Sequence, residues 1–233
     1  MGSRKRIRKK QLKQDKFVQT TFELTDWIRA NQRTVTYTAL GVLLVVVLGY
    51  SYSSYNRSKA ESAYTAFYQA MQAYRSGNYA LSASDLEKIL SEHSGSPIED
   101  QILYYLANAY YKTGDLDKAE KVLTKFEGEF GEESRMSVEA MTTLASVYEQ
   151  KGEFEKAAHT YIQAASASRF PYQEKTNRMQ AARLLIDVGK YEEAIAQYDA
   201  LIESESAEKF SQAELDEVKM LRAEVNGRVR IGE

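Results

Sequence analysis

Residues 106–123 read LANAYYKTGDLDKAEKVL, and the same columns return at 69–86 (QAMQAYRSGNYALSASDL), 144–161 (LASVYEQKGEFEKAAHTY) and 181–198 (AARLLIDVGKYEEAIAQY). The register mark is a glycine. Gly77, Gly114, Gly152 and Gly189 are spaced 37, 38 and 37 residues apart, a period that belongs to arrays of helical repeats. Seven residues before each glycine lies an alanine (Ala70, Ala107, Ala145, Ala182), and five after lie Ser82, Ala119, Ala157 and Ala194. Aromatic or leucine side chains stand two after (Tyr79, Leu116, Phe154, Tyr191), and nine after come Leu86, Leu123, Tyr161 and Tyr198. This is the pattern of a helix, a tight turn and a second, antiparallel helix. Glycine closes the first helix because the left-handed position just past a helix end costs it no Cβ clash. The alanines fall where two helices approach closely, and the larger side chains fill the space beside them. Asn78 and Asp115 follow their glycines as N-caps, and Pro97 and Pro171 stand where new units open. Helices are expected at about 57–75, 79–92, 97–112, 115–129, 134–150, 153–168, 173–188, 191–205 and 211–227.

Leu106, Ala107, Tyr110, Gly114, Asp115, Leu116, Ala119 and Leu123 resemble the motif of the tetratricopeptide repeat, and 144–161 does nearly as well. The unit at 181–198 is recognisable; the one at 69–86 is degenerate, with Gln69 where leucine is usual and Ser82 where alanine is. The period exceeds that family's about 34 residues, which implies lengthened loops or helices. The resemblance implies an all-α, right-handed helical solenoid of about four helix pairs. The last helix, with Leu215, Val218, Leu221 and Val225 on one face and charges elsewhere, reads as its solvating cap.

Ahead of the repeats the chain changes character. Its 31 basic and 33 acidic residues give a net charge of −2, but residues 1–33 hold 10 basic and 3 acidic side chains while residues 57–233 hold 21 and 30. The ends are therefore +7 and −9, and the 23 residues from Thr34 to Asn56 carry no charge. About 20 apolar residues span the roughly 30 Å hydrocarbon of a bilayer, so this window reads as a transmembrane helix. Leu43 to Leu48 (LLVVVL), with Leu44 inside it, is apolar on every face, unlike a soluble amphipathic helix. Tyr37 and Tyr50 suit the two interfaces, with Trp27 and Arg33 anchoring the basic side. A basic leader of 33 residues without a following A-x-A site favours an uncleaved signal anchor over a removed signal peptide. Seven Lys or Arg between Arg4 and Lys13 keep the N-terminus cytoplasmic by the positive-inside rule, so the C-terminal domain is exported. Phe17, Thr21, Leu24 and Ile28 fall on one stripe of a short interfacial helix. The expected domains are 1–33 (basic, with that helix), 34–56 (anchor) and 57–230 (repeats). No glycine or proline lies between Gly49 and Gly77, so the anchor is expected to run into the first repeat helix, burying Ala60, Ala63, Tyr64, Phe67, Ala70, Met71 and Tyr74.

Catalytic chemistry finds little footing. There is no cysteine, and the two histidines, His93 and His159, stand far apart in the sequence, so neither a thiolate nor a metal cluster is expected. Phosphate-loop, dinucleotide and nucleophile-elbow signatures are missing, and the acidic repeat domain disfavours nucleic acid. No cofactor is implied, and the chain reads as a non-enzyme. What remains is the groove lined by the first helices of successive units, where the candidate residues are Tyr64, Phe67, Met71, Tyr74, Tyr104, Tyr105, Asn108 and Tyr111. Aromatics with methionine favour an apolar partner segment, but the same residues would serve to pack repeat on repeat. Tetratricopeptide domains that clasp acidic chaperone tails pair a lysine with an asparagine. Here Asn108 matches, but Tyr104 replaces the lysine and Ser146 stands where a second polar donor would be, which argues against that ligand.

DWIRANQR before the span and YSYSSYNRSKAESAY after it, together with the whole layout, are similar to one family, the ancillary subunit of the bacterial SecYEG translocon (YfgM-like). This resemblance implies a single-pass inner-membrane protein with a periplasmic repeat domain. Its partners would be Sec translocon subunits, a periplasmic chaperone and nascent or unfolded chains, with the protein acting as an adaptor between them. The alternative is a scaffold subunit of another envelope complex, in cell division, secretion or outer-membrane assembly.

Overall fold

The computed structural model describes residue 25 and residues 27–231. The basic tract, with Phe17, Thr21 and Leu24 of the expected interfacial helix, lies outside those residues; Trp27 to Ala30 are helical. The main helices are α1 (Gln32–Arg75), α2 (Tyr79–Glu92), α3 (Glu99–Thr113), α4 (Leu116–Glu129), α5 (Ser137–Gln150), α6 (Phe154–Ala167), α7 (Pro171–Asp187), α8 (Tyr191–Glu203) and α9 (Gln212–Ile231). Short 3₁₀ turns occupy Gly131–Glu133 and Glu205–Lys209, and there is no strand among the described residues. α1 continues through Asn56 without a break. Two compact units divide within it, the first ending at Ser58 and the second running Lys59–Glu233, and each is described by itself.

In the first unit, α1 is the one helix among the described residues long and apolar enough to cross a membrane, judged by length and composition. None of that apolar window is buried, whereas the core helix of a soluble protein would be covered. Leu43, Leu44, Leu48, Tyr37, Tyr50, Trp27 and Arg33 are all exposed. The Thr36 and Thr38 hydroxyls donate to the carbonyls of Gln32 and Thr34 at 2.8 Å, so neither adds an unmet donor to the apolar surface.

The second unit is a solenoid of helix pairs, and each pair turns in the same way. In the unit that opens the sequence argument, Gly114 takes φ 81° and its N–H donates to Tyr111, while the Asp115 N–H reaches back to Tyr110 at 2.9 Å. That doubly bonded close ends the helix and satisfies its last carbonyls. The 2.9 Å bond recurs from Asn78 to Ala73 and from Glu153 to Tyr148, and Lys190 bonds Leu185 at 2.8 Å. The next helix is then capped where the sequence allows: Asn78 accepts from the Leu81 N–H at 3.2 Å and Asp115 from Lys118 at 3.5 Å. Glu153 and Lys190, in the same place, make no side-chain cap.

Packing follows the columns. Ala70, Ala107, Ala145 and Ala182 have no exposed surface, and neither have Ser82, Ala119, Ala157 and Ala194. Leu86, Leu123, Tyr161 and Tyr198 are buried beside them. Each such large side chain contributes roughly 1.5–3 kcal/mol by leaving water. On the final helix Val218 and Val225 are buried, Leu215 and Leu221 half-buried, as a cap with one apolar face requires. Polar bridges between adjacent pairs tie the array along its length. Lys151 reaches Asp117 and Glu120 at 2.7 Å, and Lys190 reaches Glu155 at 3.2 Å. Solvent screens these pairs, so burial dominates.

Several boundaries differ from those expected. α3 opens at Glu99 because Ser96 and Pro97 form a turn in which the Gly95 N–H donates to the Glu99 carboxylate. α5 opens at Ser137 because Ser134 is extended, its hydroxyl held by Asp100 at 2.7 Å. α7 opens two residues early, at Pro171, since a first-turn residue needs no N–H partner. Tyr64 departs from the expected buried stripe and is 51% exposed. The adjacent Ala63 is fully buried, so at that height α1 turns Ala63 and not Tyr64 to the core.

Candidate partner-binding groove

The first helices of successive pairs share one face: within the second unit α1 supplies residues up to Arg75, followed by α3, α5 and α7, with α3 and α5 in direct contact. An aromatic ladder runs across its start. Phe67 meets Tyr105 at 5.7 Å between centroids, Tyr105 meets Tyr74 at 5.4 Å and Tyr104 at 5.1 Å, and Tyr74 meets Tyr79 of α2 at 5.1 Å. The tilted and edge-on angles, 55° to 77°, are those that aromatic quadrupoles favour. These five rings pack against the core and stay half-buried, so they join repeat to repeat and still present surface.

Among the remaining candidates, Met71 is buried in the core and Tyr64 is exposed. Tyr111 is half-buried, its hydroxyl accepting from Gln150 at 2.8 Å while the Lys112 ammonium sits 5.8 Å from its ring centre. The Asn108 amide donates to the Tyr104 carbonyl of its own helix at 3.0 Å. Ser146 donates to the Thr142 carbonyl at 3.0 Å, and its hydroxyl lies 2.8 Å from that of Tyr161. Asn108 and Ser146 are therefore already engaged, and Tyr104 stands where a carboxylate-tail site needs its lysine. Tyr79 was missed as a ladder member because it lies on a second helix, and only the fold turns it toward Tyr74.

Burial pushes the Tyr104 phenol up to about 12, with the nearby Glu139 charge adding to it. Burial likewise raises Tyr74, helped by Tyr79 and Tyr105. These phenols are neutral at physiological pH and offer apolar faces with one hydroxyl each. Beyond the ladder the face becomes polar. Glu139 accepts from Gln173 at 2.9 Å, Thr142 meets Asn177 at 3.0 Å, and Glu149 binds Arg183 at 2.6 Å. Glu139 and Gln173 also border a cleft of about 360 Å³ with Arg135, Arg169 and Phe170. The three polar bridges join residues 34 or 35 apart, so they link different columns of neighbouring pairs, and which side chains meet depends on the rotation between repeats.

His159 is exposed and His93 caps the end of α2. No group of three or more His, Cys, Asp or Glu side chains that could hold a metal ion occurs among the described residues.

Residues 25–220 match the tetratricopeptide repeat-like domain, and the chain belongs to that family. Solved structures of similar fold include a kinesin light chain from Podosopora anserina with nearly identical TPR-like repeats, 16% identical, covering 73% of this chain and 93% of that one at a TM-score of 0.53. BtubC (BKLC) from P. vanneervenii is also 16% identical, covering 75% and 84% at a TM-score of 0.52. MamA AMB-1 is 17% identical, covering 74% and 93% at a TM-score of 0.47. At such identities the likeness to the first two is one of fold. No curated protein matches the chain. The fold is one typical of protein–protein interaction scaffolds.

Proposed function

We propose that this protein is a membrane-anchored, non-catalytic adaptor that binds protein partners through the first-helix groove and links the Sec translocon to periplasmic chaperones or emerging chains. The observation that carries the binding role is the ladder of Phe67, Tyr74, Tyr104 and Tyr105, half-exposed on a repeat array of a family built for protein contacts. The charge profile of +7, an uncharged window and −9 supports an anchor with its N-terminus in the cytoplasm and the repeats outside. The translocon assignment rests on the likeness of DWIRANQR and YSYSSYNRSKAESAY, and of the layout around them, to that ancillary subunit family.

The test is a photo-crosslinking residue placed at Tyr104 in intact membranes, with His159 on the exposed side of α6 as control position. Capture of a translocon subunit, an envelope chaperone or an emerging chain from Tyr104 alone is the expected result. Equal capture from both positions refutes the groove. Selective capture of a cell-division, secretion or outer-membrane assembly component refutes the translocon assignment and leaves an envelope scaffold. Protease digestion of intact cells and of inverted vesicles checks the orientation: the repeat domain should resist protease inside inverted vesicles.

A further inference from the structure

We propose that a second copy of this chain docks on the outer face of α1, through Thr65, Tyr68, Gln69 and Gln72, and that the anchored protein is a homodimer. The repeat columns define that face. Five residues before the turn glycine, Ala109, Val147 and Leu184 are buried; eight before it, so are Leu106, Leu144 and Ala181; twelve before it, so are Ile102, Ala140 and Asn177. α3, α5 and α7 each pack on the second helix of the pair before them, and no pair precedes α1 among the described residues. Its residues in those three columns, Gln72, Gln69 and Thr65, are exposed, and so is Tyr68 beside them.

A terminal face of an array is ordinarily made soluble by a polar outer surface. At the other end α9 follows that rule with charge, turning Glu217, Lys219, Glu224 and Arg228 to solvent. α1 carries none. Ser62 to Tyr74 are thirteen uncharged residues in a chain of which 27% is charged, and the exposed side chains among them are hydroxyls, amides and two tyrosines. Depletion of charge with exposed tyrosine is the composition of an interface centre.

The chemistry of the face selects its own copy. An apolar helix laid there would leave the Gln69 and Gln72 amides without partners, and a charged one would find no opposite charge. A second α1 avoids both costs, because each Gln amide and Tyr hydroxyl donates and accepts and so can pair with its own counterpart. Copies anchored in one bilayer run the same way through it, so the face meets its counterpart in parallel. Thr65, Tyr68 and Gln72 then stand at the alternating spacing of three and four residues that forms a two-helix seam. Glu61 and Arg75, the next stations of that seam, bound it, since like charges would oppose there. Four side chains are few beside the roughly 20–30 residues a side that hold free proteins together, so the shared bilayer must supply the effective concentration. None of the four belongs to the aromatic ladder, so the inference stands apart from the groove reading; only its parallel sense rests on the anchor.

The chain has no cysteine, so single cysteines in the full chain report the contact in the membranes of cells that express it. Mild oxidation should join Thr65→Cys copies to one another, and likewise Gln72→Cys copies, as disulfide-linked dimers. His159→Cys and Met220→Cys, at exposed positions elsewhere on the array, should stay monomeric. In the Thr65→Cys background, adding Gln72→Glu should lower the rate of dimer crosslinking about tenfold, and Gln72→Lys should do the same, because each sets like charge against like. Co-expression of the Gln72→Glu and Gln72→Lys chains should restore the rate, a rescue that damage to the fold would not give. Equal crosslinking at all four cysteine positions overturns the proposal, and so does a Thr65→Cys rate that neither charge lowers. Dimers from a cysteine at Tyr68 alone, with none from 65 or 72, mean an antiparallel crossing and overturn the parallel pair. A crosslink between co-expressed Gln72→Cys and Met220→Cys chains assigns a head-to-tail contact, and Gln72→Cys joined to a different protein with no dimer assigns the face to that partner; either result overturns the second copy as occupant.

Discussion

Replacing Ser82 by alanine should make this protein more stable, which is unusual for a change at a fully buried position. Ser82 has no exposed surface, and its hydroxyl is buried without a hydrogen-bond partner. Its counterparts in the next three pairs are Ala119, Ala157 and Ala194, which are equally buried. The backbone there accommodates a methyl group, and the extra oxygen adds only a desolvated polar atom. Leaving such a group unpaired costs about 1–3 kcal/mol, and serine is about 0.5 kcal/mol poorer than alanine in a helix interior. Removing the oxygen opens little space, so the net gain for Ser82→Ala is about 2 kcal/mol. For a domain of this size that raises Tm by about 4–8 °C. Thermal unfolding of the full chain in detergent, followed by far-ultraviolet circular dichroism, reads this directly. The reciprocal change Ala119→Ser should lower Tm by a similar amount. An unchanged or lower Tm for Ser82→Ala would show that the hydroxyl is satisfied or fills needed space, and the argument from equivalent columns would fail.

Two further outcomes follow from the turns and the terminal helix. Gly114→Ala forces a Cβ onto a φ of 81°, where an added Cβ meets no atom within 4 Å. The cost is therefore backbone strain alone, about 1–2 kcal/mol, and urea unfolding should show Gly114→Asn less affected than Gly114→Ala. Glu214 is held down to about 2, chiefly by its bond to Lys175 at 2.6 Å and then by Ser211. A depressed carboxylate stabilises the fold above its unfolded value of 4.5 and loses that contribution as pH falls toward about 2. Between pH 5 and 2 the native chain should therefore lose stability that Glu214→Gln has already lost, and acid titration monitored by helicity compares the two.

How much was legible in advance depends on the distance over which each feature is decided. The glycine turns, the caps at Asn78 and Asp115 and the alanine columns were readable because each rests on residues within about ten positions of one another. Helix starts were less so. Glu99, Ser137 and Pro171 open their helices where turn bonds from Gly95, Asp100 and a first-turn proline place them. The aromatic wall was legible as composition and not as geometry. Tyr105 between Phe67 and Tyr74, Tyr79 as a fourth tyrosine, Met71 inside the core and Tyr64 outside it all follow from how one pair rotates onto the next.

By itself the amino-acid order determined that this chain has a basic start, an uncharged apolar helix and an acidic array of helix pairs, because charge, hydropathy and a recurring glycine are written residue by residue. Only the tertiary structure decided which side chains face one another across the repeats. Glu139 with Gln173, and Glu149 taken by Arg183, are contacts between first helices of neighbouring pairs. Such contacts depend on the superhelical step and on side-chain rotamers, neither of which leaves a mark in local sequence.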